Sequence, residues 1–144
     1  MNGKASIPFA GQKMIYMALV VGIAMYAIVA GLILKSNDGI GLMEEPIQML
    51  DTASPIVGIA LALAAIAARI LFNKRADAAE LGGRSMQRML SRLVPIFLLE
   101  SACLFAITAW LLNGKAMPSL AVACILLSIA IAMMPLQDPD VDQI

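Results

Sequence analysis

The chain has 144 residues, 61% of them hydrophobic and only 14% charged, against roughly a quarter charged in ordinary soluble domains. A chain this short leaves much of its surface exposed in water, so the composition argues for a lipid environment rather than an aqueous one. Ten basic and ten acidic residues cancel, and histidine is absent; this argues against nucleic acid as a partner and against haem, transition metals and histidine-based hydrolysis.

In chain order, the first apolar run is Met14 to Leu34, 21 residues without a charge. It exceeds the core of a signal peptide and reads as a retained membrane span of about 20 residues. The connection from 36 to 53 carries Asp38, Glu44, Glu45 and Asp51. Met43, Ile47, Met49 and Leu50 interleave with them, which fits either a short interfacial helix or an irregular cover over the bundle. Ser54-Pro55 has the form of an N-cap followed by a first-turn proline, and opens a second span that runs to Phe72 and contains Arg69.

Residues 73 to 92 form a basic connection broken by Gly82-Gly83. A third span follows from Leu93 to Leu112, with Glu100 inside it and Pro95 near its start, where a proline can kink a helix. Asn113 to Met117 is a tight turn. Pro118 to Met134 is the fourth span, closed by Pro135. The tail from 137 to 144 carries Asp138, Asp140 and Asp142 and has the composition of a solvated end. Cys103 and Cys124 both fall in apolar runs and read as buried free thiols; no metal site is expected.

Basic residues orient the spans. Lys4, Lys13, Arg69, Lys74, Arg75, Arg84, Arg88 and Arg92 fall on one side, and Lys35 and Lys115 on the other. Both termini are then expected on the cytoplasmic side. The fold expected is an all-α integral membrane bundle of four transmembrane helices forming a single domain, in a bacterial or organellar inner membrane. Small residues mark its expected packing faces: Gly22, Ala27 and Gly31 in span one, Gly58, Ala62 and Ala65 in span two, and Ala102, Ala106 and Ala109 in span three. Residues 24 to 32 (AMYAIVAGL) echo 103 to 111 (CLFAITAWL), as a duplicated hairpin or convergence between alanine-rich helices would.

Arg69 and Glu100 are the charges within apolar runs, and ionisable groups there are functional candidates. Three readings stand open. Arg69 snorkels to headgroups while Glu100 is neutral or bonded; or the two form a buried ion pair; or Glu100 carries a proton or cation. Helical spacing puts Glu100 opposite the alanine face, pointing out of the bundle. Arg84, Arg88 and Arg92 recur every fourth residue and suit lipid headgroups or a docked partner. Trp110, Tyr16 and Tyr26 read as packing or interface aromatics.

Glu100 followed by Leu104, Phe105 and Ala106 (ESACLFA) resembles the second helix of the proteolipid c subunits of rotary ATP synthases. Gly58, Ala60, Ala62 and Ala64 are similar to a diluted form of their glycine-rich first helix. The resemblance spans Pro55 to Leu112 and implies a ring-forming subunit with Glu100 as the ion-binding residue. The chain departs from that family in its sparse glycines, in Arg69 and in its two additional spans. The residues themselves favour a small non-catalytic accessory subunit of a larger membrane complex, without cofactor, whose partners are the bilayer and other integral subunits. A proteolipid-like carrier using Glu100 is the alternative. A self-assembling pore or transporter comes third, and a homo-oligomer fits either.

Overall fold

The computed structural model describes residues 8–43, 45–79 and 81–134. Lys4, Glu44 and the acidic tail lie outside the described residues. Four helices follow one another: α1 Phe9–Ser36, α2 Gln48–Ala78, α3 Leu81–Asn113 and α4 Ser119–Ala132. The first three are long and apolar enough to cross a membrane, which makes this a multi-pass membrane protein by length and composition. The fourth is apolar but has 14 residues, about 21 Å at 1.5 Å per residue.

Contacts fix the directions. Gln12 meets Arg92, Tyr26 meets Thr108 and Gly31 meets Trp110, so α1 and α3 run parallel. Those partners are 80, 82 and 79 residues apart, almost the 79-residue offset of the echoed segments. Asn113 against Ile47 and Arg84 against Ala76 make α2 and α3 antiparallel. Gly58 lies on Val122 and Leu126, which joins α2 to α4.

α3 packs against all three other helices, whereas α1 packs substantially on α3 alone. The main core follows from that. Leu99, Ala102, Cys103, Ala106, Ile107 and Leu111 of α3 are buried with Ile23, Ala30 and Leu34 of α1, Ala65 of α2, and Ala123, Leu126 and Ala130 of α4. A second cluster of Tyr16, Leu93 and Ile96, with Met89 and Met134 against it, lies toward the arginine-bearing ends of α2 and α3.

Several boundaries differ from the sequence reading. α2 begins at Gln48, and Ser54-Pro55 lies inside it instead of opening it. No side chain caps the helix from its own N-cap residue, Ile47. Asn113 does so from α3: its Oδ1 accepts the Ile47 N–H at 3.0 Å, and its Nδ2 donates to the Ile47 carbonyl and to Asp51 Oδ1 at 2.9 Å each. A tertiary contact therefore starts the helix earlier than local punctuation indicates. The segment expected as a basic loop is mostly helix. α2 runs to Ala78 and α3 starts at Leu81, so Gly82-Gly83 sits in the first turn of α3 instead of breaking the connection. Arg84 Nε donates to the Ala76 carbonyl at 3.3 Å, satisfying an acceptor at the end of α2. α3 continues through the fully buried Pro95 as one helix.

Candidate functional site

Glu100 lies in the middle part of α3 and is half-buried. The sequence reading pointed it out of the bundle, opposite the alanines. In the structure Ala102, Ala106 and Ala109 are buried, and so are Ile96, Cys103 and Ile107 on the face that Glu100 shares, while Phe97 and Ser101 beside it are exposed. Its carboxylate forms neither a hydrogen bond nor an ion pair among the described residues. Arg69 is exposed on α2 and makes no ion pair with Glu100. The two intramembrane charges are thus not brought together.

Arg69 and Arg92 lie within electrostatic range of Tyr16, near the start of α1. Tyr16 is 1% exposed, and its hydroxyl has no hydrogen-bond partner among the described residues. Arg92 Nη1 donates to the buried Gln12 Oε1 at 3.5 Å, and its guanidinium stands 5.9 Å from the centre of the Phe9 ring. Lys13 sits 5.0 Å from the same ring, within the range of a cation–π contact. Arg84, Arg88 and Arg92 are each half-buried along α3.

At the other end the contacts are rich in backbone hydrogen bonds. The N–H groups of Leu42 and Met43 donate to the Leu111 and Leu112 carbonyls at 3.1 Å each, closing two of the acceptors that a helix C-terminus leaves open. This strap passes so near α3 that a Cβ on Gly41 would collide with the Leu112 carbonyl oxygen. Gly114, at φ +71°, faces the Gly41 backbone. Lys115 pairs with Asp51 at 3.9 Å.

The small residues divide. Gly58 is buried, and a Cβ there would come within 2.7 Å of Val122 Cγ1, while Ala65, Ala102, Ala106 and Ala109 are fully enclosed. Ala27 and Ala62 pack on the core edge, and a Cβ built on Gly31 would stand 3.5 Å from the Trp110 ring. Gly22 is not a packing residue: it is exposed, and nothing lies within 4 Å of a Cβ built on it. Cys103 is buried with its thiol toward the Ala123 carbonyl at 3.6 Å, but Cys124 is exposed on α4 rather than buried.

Sequence reasoning passed over Gln12, Gly41 and Asn113, and treated Tyr16 as a generic aromatic. Asn113-Gly114 after an apolar run has the form of a helix end, and Gln12 and Tyr16 are polar residues one turn apart at the start of α1. Those signals place residues near a terminus without saying what they touch. Among the described residues no cluster of histidine, cysteine or carboxylate side chains has the makings of a metal site. Comparison with known family models, curated proteins and solved structures finds no match.

Proposed function

We propose that this chain is a four-span, non-catalytic subunit of a larger integral membrane complex, with the basic end and both termini toward the cytoplasm of a bacterial or organellar inner membrane. The observation that carries the reading is one-sided packing. The most apolar 18-residue stretch of α3 is 50% buried, against 17% in α1 and 11% in α2. Ile56, Ile59, Leu63, Ile66 and Ile70 are exposed along α2 at alternating three- and four-residue spacing. That is the pattern of a seam for another helix.

α4 adds to this. At about 21 Å it is shorter than a hydrocarbon layer of about 30 Å, a mismatch relieved by a neighbouring subunit or a locally thinned bilayer. The test is extraction in mild detergent followed by mass spectrometry of everything retained. A fixed partner at constant stoichiometry is expected. A stable, monodisperse chain purifying by itself overturns the reading.

Glu100 favours a second reading, a proteolipid-like proton or cation carrier. A half-buried carboxylate within a span, with no ion pair or hydrogen bond of its own among the described residues, is the type of group such carriers use. Covalent labelling of Glu100 by a hydrophobic carbodiimide, slowed by the carried ion, is the expected outcome. Labelling indifferent to pH and to every cation tried counts against it.

A further inference from the structure

We propose that the bare seam of α2 is filled by α1 of a second copy of this chain, lying antiparallel to it at the same depth. The inference rests on the subunit reading above and names what occupies that seam. It starts from the echo between 24–32 and 103–111. Cys103, Ile107 and Leu111 of α3 are buried, at 0%, 1% and 9% exposure, and the Cys103 thiol faces the Ala123 carbonyl of α4. Their counterparts, 79 positions earlier, are Ala24, Ile28 and Leu32 of α1. All three are exposed, Ile28 and Leu32 at 62% each. The same face is covered by an antiparallel helix in one repeat and bare in the other.

The covering helix of the second repeat, α4, has α2 as its counterpart, for the two run in the same direction and meet at Gly58. Within one chain α2 does not serve α1 in this way, because each packs on α3 and they do not pack substantially on each other. A second copy supplies the missing α2. Its basic residues orient it in the bilayer as they orient the first. Its α2 therefore runs antiparallel to α1, as α4 does to α3. The interface that α3 makes with α4 inside the chain is thereby repeated between chains.

The two faces match in depth and in spacing. Asn113 meets Ile47 and Arg84 meets Ala76, so residue numbers of α2 and α3 at one depth total about 160. Gln12 meets Arg92, which puts α1 80 positions before α3 at equal depth. Residue numbers of α1 and α2 at one depth therefore total about 80. Met14, Met17, Val21 and Ala24 then stand level with Ile66, Leu63, Ile59 and Ile56, and both series step by three, four and three residues. All eight are exposed, those of α2 at 48–63%. Each series lies along one stripe of its helix. Flexible methionines on one side adapt to stiff isoleucines on the other, and close van der Waals contact of this kind is what joins helices in lipid.

The experiment is disulfide cross-linking of full chains in the membranes of the cells that make them. Every chain carries Cys124→Ala, and Cys103 stays because it is fully buried. Two differently tagged chains, one with Met17→Cys and the other with Leu63→Cys, are co-expressed and oxidised with copper phenanthroline. Their mixed dimer is expected to exceed that of Met17→Cys with Ile56→Cys at least about fivefold, since the latter pair is seven residues, or about 10 Å, out of level. Val21→Cys with Ile59→Cys is expected to behave as the first pair does, and keeps the test available if one variant fails to fold. Equal yields in level and out of level overturn the proposal. So do dimers that form only between two Met17→Cys chains or two Leu63→Cys chains. A different protein that co-purifies while the level pairs stay unlinked overturns it and leaves the subunit reading standing. Level-dependent dimers of a chain that purifies with no other protein uphold it and overturn that reading.

Discussion

The two ends of this bundle are built on different physics. At the strapped end, the 41–43 segment and the Asn113 side chain meet the ends of α2 and α3 through short, directed hydrogen bonds. At the basic end, the Tyr16 hydroxyl is buried with no hydrogen-bond partner among the described residues, and the buried Gln87 Oε1 is likewise unsatisfied. Each end keeps two buried side-chain oxygens without a hydrogen-bond partner among the described residues, Ser54 and Ser119 at the strapped end and Tyr16 and Gln87 at the basic one. The contrast therefore lies in the backbone hydrogen bonds that hold the strap.

Substitutions that break this contrast have graded effects. Gly41→Ala is expected to have the largest, a loss of about 3 kcal/mol or more, because its Cβ would meet the Leu112 carbonyl oxygen, and backbone there cannot yield as a side-chain tip can. Thermal unfolding of the detergent-solubilised chain, followed by circular dichroism, checks it; an unchanged midpoint would mean that the strap does not lie against α3.

Asn113→Ala comes next, at about 2–3 kcal/mol, since one buried side chain serves both backbone groups of Ile47 and the Asp51 carboxylate. Faster hydrogen exchange confined to the first turns of α2 is its signature. Tyr16→Phe sharpens the comparison by sign. Removing an unpartnered hydroxyl is expected to be neutral or to stabilise by up to about 1 kcal/mol, measured in the same unfolding assay. A clear destabilisation would show that the hydroxyl bonds to a group outside the described residues.

The echo between 24–32 and 103–111 gains meaning from the pairing of α1 with α3. The repeated segments lie side by side and in parallel, close to the register of the repeat itself. The correspondence extends to the second helix of each hairpin, for α2 and α4 run in the same direction and meet at Gly58. A duplicated hairpin accounts for both pairings at once, whereas chance similarity accounts for the sequence alone.

Composition and periodicity determined the class: a low charge fraction and apolar runs of span length leave a helical membrane protein as the physical solution, since buried backbone in lipid must bond within its own helix. They also located Gly58, Ala65 and the α3 alanines as packing residues, because close helix approach demands small side chains wherever it occurs. Tertiary structure alone decided which helix is central. A face read from one helix has no knowledge of its neighbours, so Gly22 looked like a contact and Arg69 looked within reach of Glu100. Helix ends were decided the same way. Asn113 and Arg84 satisfy backbone groups across gaps of 66 and 8 residues, and a hydrogen bond that distant in sequence leaves no local mark at the helix end it completes.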